Sequence, residues 1–332
     1  MAKNVAIAGV TGAVGREFIN ILEQRDFPVK SIKMLASERS VGKTVKFKGK
    51  DYPVEELKEN SFAGIDIALF SAGASRSKQF APAAVQAGAI VVDNSSAFRM
   101  DPEVPLVVPE VNPDAIKKHK GIIANPNCST IIANVPIWPL HKANPIKRIV
   151  VSTYQATSGA GQAGMTELLE QTKEILDGKQ PICKKFKYQI AFNLFSHDSD
   201  IQPNGYNLEE MKMIHETHKI FNCPEIAITC TCVRVAVLRA HSESINLQFR
   251  DPITPEQVRN LLEHAPGVSI IDDPKNNRFP MPIDASGKDD VYVGRIRQDE
   301  SIPDRRGINI WVVGDQIRKG AALNAIQIAE LL

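Results

Sequence analysis

Residues 3–15 read Lys3-Asn-Val-Ala-Ile-Ala-Gly9-Val-Thr-Gly12-Ala-Val-Gly15, and the fold is decided by how this stretch is read. Lys3–Ala8 is a short apolar run with β-branched residues, the pattern of a buried strand, and it stops at Gly9. Over residues 12–25, Val14, Phe18, Ile21 and Leu22 fall on one helical face. Glycines between a strand and a helix permit a tight turn and close backbone approach to a pyrophosphate. The free N–H groups at the helix N-terminus then stabilise its charge. The GxxGxxG spacing is a variant of the dinucleotide fingerprint, and its place between the first strand and the first helix makes it fairly specific. On this reading Gly9, Thr11, Gly12, Ala13, Val14 and Gly15 line a nucleotide.

Further strand patterns follow at residues 31–36, 65–70, 90–92 and 121–124, with a helical pattern over 75–87. Strands alternating with helices predict a doubly wound, mostly parallel sheet. After Asn125 the texture changes. Longer strand runs at 147–156, 225–238, 242–250, 290–297 and 308–313 have few helices between them, the clearest at 164–176 and Pro255–Glu263. This half reads as an α+β domain with a mixed or antiparallel sheet. The last segment, 317–332, is helical with one strongly apolar side, and its pattern does not decide which domain it packs in.

Bulk properties set the outer limits. A chain of 332 residues suits two domains, and 43% apolar with 23% charged residues is an ordinary globular composition. With 40 basic against 38 acidic residues, the net charge of +2 gives no whole-chain reason to expect a nucleic-acid or membrane partner. No window approaches the ~20 apolar residues of a membrane span. The N-terminal apolar run is too short for an export signal, so a cytoplasmic protein is expected. Five scattered cysteines, an odd number, read as free thiols in a reducing compartment, and without CxxC spacing no metal site is expected. Cys230 and Cys232 are expected to face opposite ways.

Two further stretches carry chemistry. At the end of the second strand, Ser37-Glu-Arg-Ser40 offers Arg39 and Ser40 to a 2′-phosphate, although Glu38 would repel one if it pointed inward; the guanidinium favours NADP over NAD. Asn125-Pro-Asn-Cys128-Ser-Thr130 follows the fifth strand and leads into an apolar helix over 130–140. A cysteine at a helix N-terminus has its thiolate, the nucleophilic form, stabilised by the dipole and by free N–H groups. Cys183, Cys223, Cys230 and Cys232 have no such setting and read as packing residues. Among the histidines, His119 and His141 sit in loop-like polar surroundings, and His215 and His218 share a charged helical stretch. His241 lies between two strands, seven residues after Arg234. Seven is odd, so within one strand the two side chains would face apart, and a bend at Ala240 is needed to bring them together.

Six segments together resemble the aspartate-semialdehyde dehydrogenase family: GVTGAVG (9–15), SSAFR (95–99), NPNCST (125–130), YQATSGAG (154–161), RVAVLRAHSE (234–243) and RKGAALNAIQIAE (318–330). They span nearly the whole chain, and their joint order is more specific than any one of them. The resemblance implies that Cys128 is the acyl-accepting nucleophile, that His241 is the general acid/base and that Gln155 orients the substrate. It implies that Arg234 holds the substrate carboxylate, that Arg99 and Lys212 bind phosphate, and that Glu209, which opens Glu209-Glu-Met-Lys212, joins the substrate contacts. Thr11–Val14, Arg39, Ser40, Ser158, Gly159 and Gln316 would line NADP. Position 38 is more often small in the family and position 316 more often Asn, departures that bear on cofactor affinity.

The same resemblance returns the last helix to the first domain. The expected organisation is then a dinucleotide-binding domain of residues 1–127 plus 316–332, and a catalytic and dimerisation domain of residues 128–315, in a homodimer or homotetramer. The implied reaction is reduction of L-aspartyl 4-phosphate by NADPH to aspartate semialdehyde and phosphate through a cysteine thioester. That step serves lysine, threonine, methionine and diaminopimelate biosynthesis. N-acetylglutamyl-phosphate reductase shares the scheme but has less need of two cations around a free amino acid. A cysteine hydrolase would have no use for the glycine turn. A non-catalytic NADP-binding regulator would not need Cys128 with His241.

Overall fold

The computed structural model describes all residues, Met1–Leu332, and the chain divides into two compact units. One comprises Met1–Asn127 and Ala321–Leu332, the other Cys128–Gly320.

The first unit opens with β1 (Lys3–Ala8), α1 (Ala13–Gln24) and β2 (Val29–Ala36). An edge hairpin follows, β3 (Thr44–Phe47) and β4 (Lys50–Glu56), then β5 (Ile67–Phe70), α2 (Ala74–Gln86), β6 (Ile90–Asp93) and β7 (Ile122–Ala124). The sheet order is β3-β4-β2-β1-β5-β6-β7, parallel except for β3. β1 lies mid-sheet with Val5 to Ala8 all buried, which is why its apolar run is continuous and not alternating. The hairpin carries no element in the sequence reading. β3 is the sheet edge with only Phe47 buried, β4 carries its charges at Lys50, Asp51, Glu55 and Glu56, and the turn uses Lys48 and Gly49, both at positive φ.

The second unit begins with α3 (Cys128–Ala143), β8 (Ile146–Gln155), α4 (Gln162–Leu176), β9 (Leu194–Ser196) and α5 (Leu208–Phe221). It continues through β10 (Ala227–Val235), β11 (His241–Phe249), α6 (Pro255–Glu263), β12 (Val268–Ile270), α7 (Pro282–Ala285), β13 (Val291–Gln298) and β14 (Gly307–Gly314). Its sheet runs β12-β13-β14-β11-β8-β10-β9 and is mixed: β8 pairs parallel with β10 but antiparallel with β11. The α/β plus α+β architecture is therefore the one expected.

Three local readings are corrected. Cys230 and Cys232 are both buried on one face of β10, because residues two apart in a strand must share a face. His141 is not in a loop. It lies in the last turn of α3, stacks on Trp138 and tilts against Phe221, and burial holds its imidazole below the usual histidine pKa. Residues 317–332 are not one α-helix: a π-helical turn, Arg318–Ala322, precedes α8 (Leu323–Glu330). The chain re-enters the first unit at Ala321, inside that turn, and not at 316. There α8 buries Leu323, Ile326 and Ile328 in the core that also holds Val5, Ile7 and Phe18. Asn324 Nδ2 donates to Val107 O (3.0 Å) and to Asn125 Oδ1 (2.6 Å), tying the helix in place.

Candidate active site

Cys128 is the first residue of α3, and its Sγ lies 3.5 Å from Nε2 of His241, the first residue of β11. The bend anticipated at Ala240 is present: Ala240 has φ +72°, which turns the chain between β10 and β11. Its N–H donates to Gln316 Oε1 (2.9 Å), so a side chain holds the strained residue. His241 is fully buried, and its Nδ1 accepts the Ala156 N–H at 3.0 Å. An accepting Nδ1 places the proton of the neutral ring on Nε2, facing sulfur. Burial, and then the charge of Arg234, hold His241 well below its ordinary pKa. The ring therefore stays neutral, with one proton directed at Sγ and whatever is bonded to it.

Arg234, near the end of β10, is buried, with Nη1 donating to Ala156 O (2.8 Å) and Nη2 lying 2.8 Å from His197 Nε2. Its Nε is buried and has no partner. Burial lowers the guanidinium pKa, and the charges of Glu209 and Cys128 act against that. A buried fork held in this way is suited to a carboxylate, whose two oxygens match its geometry. Gln155 ends β8 and donates from Nε2 to Glu209 Oε1 (3.1 Å); Glu209 Oε2 accepts from Lys212 Nζ (2.9 Å). Glu209 and Lys212 are three apart on α5, whose start is fixed by a capping box between Asn207 and Glu210. Gln155, Glu209 and Lys212 thus form one chain of contacts. His197 was missed in the sequence because only the pairing of β9 with β10 carries it to Arg234.

Gly159 belongs to the 3-10 turn Thr157–Ala160, and a Cβ there would sit 3.0 Å from Arg234 Nη1 and 3.2 Å from His241 Cε1. A side chain there would press on both members of the pair, which glycine leaves undisturbed. Ser158 and Gln316 are both buried and bonded to each other through Gln316 Nε2 and Ser158 Oγ. Since the Gln316 oxygen is taken by Ala240, its amide ties the 3-10 turn to the bend. This is a structural use that the sequence reading did not contain.

In the first unit the glycine turn forms as expected. Gly9 has φ +95°, and a Cβ on Gly15 would collide with the Gly9 carbonyl and lie 2.7 Å from Val10 Cα. Gly12 caps α1 in an extended conformation. Beside the turn is a cavity of about 190 Å³ whose lining includes Thr11 and Gly12, Ser37 from the end of β2, Ser71 from the end of β5, and Arg76 from the first turn of α2. Glycines that no side chain could replace, a helix N-terminus and a cationic wall fit a dinucleotide phosphate. Arg76 is a lining residue the sequence reading missed, since it lies far along the chain from the fingerprint. Arg39 and Ser40 sit on the 3-10 turn Glu38–Ser40, outside that lining; Arg39 is exposed and Ser40 buried. Bonding to Glu56, and then the charges of Glu56 and Glu38, raise the pKa of Lys58, so the Glu38 carboxylate has a cation to face. Arg99 is buried, with Nε donating to Asn125 O (2.9 Å) and Nη2 to Asn94 O (2.8 Å).

A helix-borne cysteine beside a neutral imidazole and a buried arginine in one unit, and a dinucleotide turn in the other, are the parts of a nicotinamide-dependent dehydrogenase. Residues 4–119 match the semialdehyde dehydrogenase NAD-binding domain family, and residues 137–319 match the semialdehyde dehydrogenase dimerisation domain family. The aspartate-semialdehyde dehydrogenase of Synechocystis sp. is 56% identical over 328 residues, 99% of this chain and 96% of that one. The crystal structure of aspartate semialdehyde dehydrogenase II complexed with ASA from Vibrio cholerae superposes with a TM-score of 0.97 at 49% identity, covering 100% of this chain and 98% of that one. The Candida albicans enzyme with NADP matches with a TM-score of 0.76 at 26% identity, over 100% of this chain and 98% of that one. The chain belongs to the aspartate-semialdehyde dehydrogenase family.

Proposed function

We propose that this chain reduces L-aspartyl 4-phosphate to L-aspartate 4-semialdehyde, releasing phosphate, in the biosynthesis of lysine, threonine and methionine. The observation that carries the reading is the Cys128–His241 pair, 3.5 Å apart, with the buried Arg234 fork against the same Gly159 backbone. The thiolate, favoured by the N-terminus of α3, attacks the acyl carbonyl; a C–S bond forms, the C–O bond to phosphate breaks, and Cys128 carries a thioester. NADPH, when bound at the glycine turn, supplies the hydride for reduction of that thioester. His241, neutral with its proton on Nε2, hydrogen-bonds the oxygen that gains charge, and the alkoxide held in this way collapses to aldehyde and thiolate while the ring keeps its proton. Arg234 fixes the α-carboxylate, and Gln155 with Glu209 orients the rest of the substrate. Lys212 and Arg99 serve the phosphate. Arg39, with Arg76 on the cavity wall, favours NADP.

The dimerisation-family match supports a homodimer, which a homotetramer would extend. No helix is long and apolar enough to cross a membrane, and five free cysteines suit a reducing cytoplasm. The test runs the reaction backwards: aspartate semialdehyde, NADP and phosphate should yield NADPH, with NAD measured beside it. Equal rates with and without phosphate would remove the acyl-phosphate reading.

A further inference from the structure

His197 stands just past β9, where its N–H donates to Cys232 O (2.8 Å) and its carbonyl accepts from Asn207 Nδ2 (3.5 Å). Its ring is thus anchored between β10 and the start of α5. Nε2 lies 2.8 Å from Arg234 Nη2 and Nδ1 lies 3.1 Å from Ser199 Oγ, which also accepts the Glu209 N–H at 3.2 Å. A guanidinium has only donors and does not deprotonate, so Nε2 must accept. The ring is then neutral, with its proton on Nδ1 directed at Ser199 Oγ (3.1 Å), the shorter of two Ser199 contacts; the Ser199 N–H lies 3.3 Å from the same nitrogen. A second proton on Nε2 would meet a cation head-on.

Resting on the assignment of Arg234 to the substrate carboxylate, we infer that His197 is a positioning residue for that arginine, holding the fork in register only while the imidazole is neutral. The charged groups facing it are Arg234 on β10, Glu209 and Lys212 on α5, Asp198 beside it, and His241 on β11. Burial keeps the His197 pKa low, the Glu209 charge opposes this, and Arg234 reinforces it. Carboxylate recognition therefore weakens on the acid side, when His197 takes up a proton and pushes the guanidinium away.

The test measures KM for aspartate semialdehyde and for phosphate from pH 5 to 8 in wild type, His197→Ala, His197→Gln and Arg234→Lys. His197→Ala should raise KM for the aldehyde about tenfold, the loss of one hydrogen bond to a charged group, and change KM for phosphate less than about twofold. His197→Gln retains an acceptor for Nη2 and a donor for Ser199. It should keep KM near wild type at pH 8 and lose the acid-side rise that wild type shows. A His197→Gln enzyme that keeps this rise, or a folded His197→Ala enzyme with wild-type KM, overturns the inference. If His197→Ala does not fold, the pH profile of His197→Gln decides alone. Should Arg234→Lys also be silent, the carboxylate assignment itself has failed; a KM effect in Arg234→Lys without one in His197→Ala removes His197 only.

Discussion

Replacing Arg234 by Lys isolates the geometry of the fork from its charge. Arg234 makes two bonds of 2.8 Å, to Ala156 O and His197 Nε2, from a buried position. A lysine ammonium is a single point on a shorter reach and cannot occupy both nitrogen positions. At least one of these contacts, or the second bond to the carboxylate, is then lost. A hydrogen bond to a charged group is worth about 1.5–3 kcal/mol, so kcat/KM should fall by about 10–150-fold. Gly159 lies against both Arg234 and His241, so a displaced carboxylate also misplaces the carbonyl being attacked. KM for aspartate semialdehyde should therefore rise while kcat falls. Initial rates at varied aldehyde with phosphate saturating, then the converse, separate this from Lys212→Ala and Arg99→Ala, which should act mainly on KM for phosphate. Kinetic constants within twofold of wild type in Arg234→Lys would falsify the role given to this residue.

Three further outcomes are expected. Cys128→Ala should abolish turnover yet bind NADPH as wild type in a fluorescence titration, while Cys183→Ala and Cys223→Ser keep substantial activity; residual turnover within tenfold rules out the thioester. Arg39→Ala should weaken NADP by about 1.5–3 kcal/mol and barely touch NAD, whereas equal losses in calorimetric titrations mean that Arg39 only supports its turn. Glu243 on β11 is fully buried, neither carboxyl oxygen has a protein partner, and burial raises its pKa well above the ordinary 4.5. As pH rises past that ordinary value the unfolded chain releases this proton and the native one keeps it, so the native state loses stability. Glu243→Gln should raise the melting temperature at pH 8 more than at pH 5, and a gain independent of pH would refute this account.

Several features were legible before any coordinate. The strand–glycine–helix order around Gly9–Gly15, the thiol at the start of a helix and the demand for a bend at Ala240 all rest on local rules. Spacing in the chain settles which backbone can turn and which residue heads a helix. The β3–β4 hairpin escaped because an exposed edge needs no apolar signature. Only tertiary structure brought His197 to Arg234, Gln155 to Glu209, Gln316 to the Ala240 bend and Arg76 to the wall of the nucleotide cavity. These contacts join residues whose separation is set by sheet order, and parallel and crossover pairing makes that order independent of distance along the chain. Protonation is non-local for the same reason. His241 is neutral with its proton on Nε2 because burial removes water and the Ala156 N–H occupies Nδ1, and the residues flanking His241 in the chain carry no trace of either.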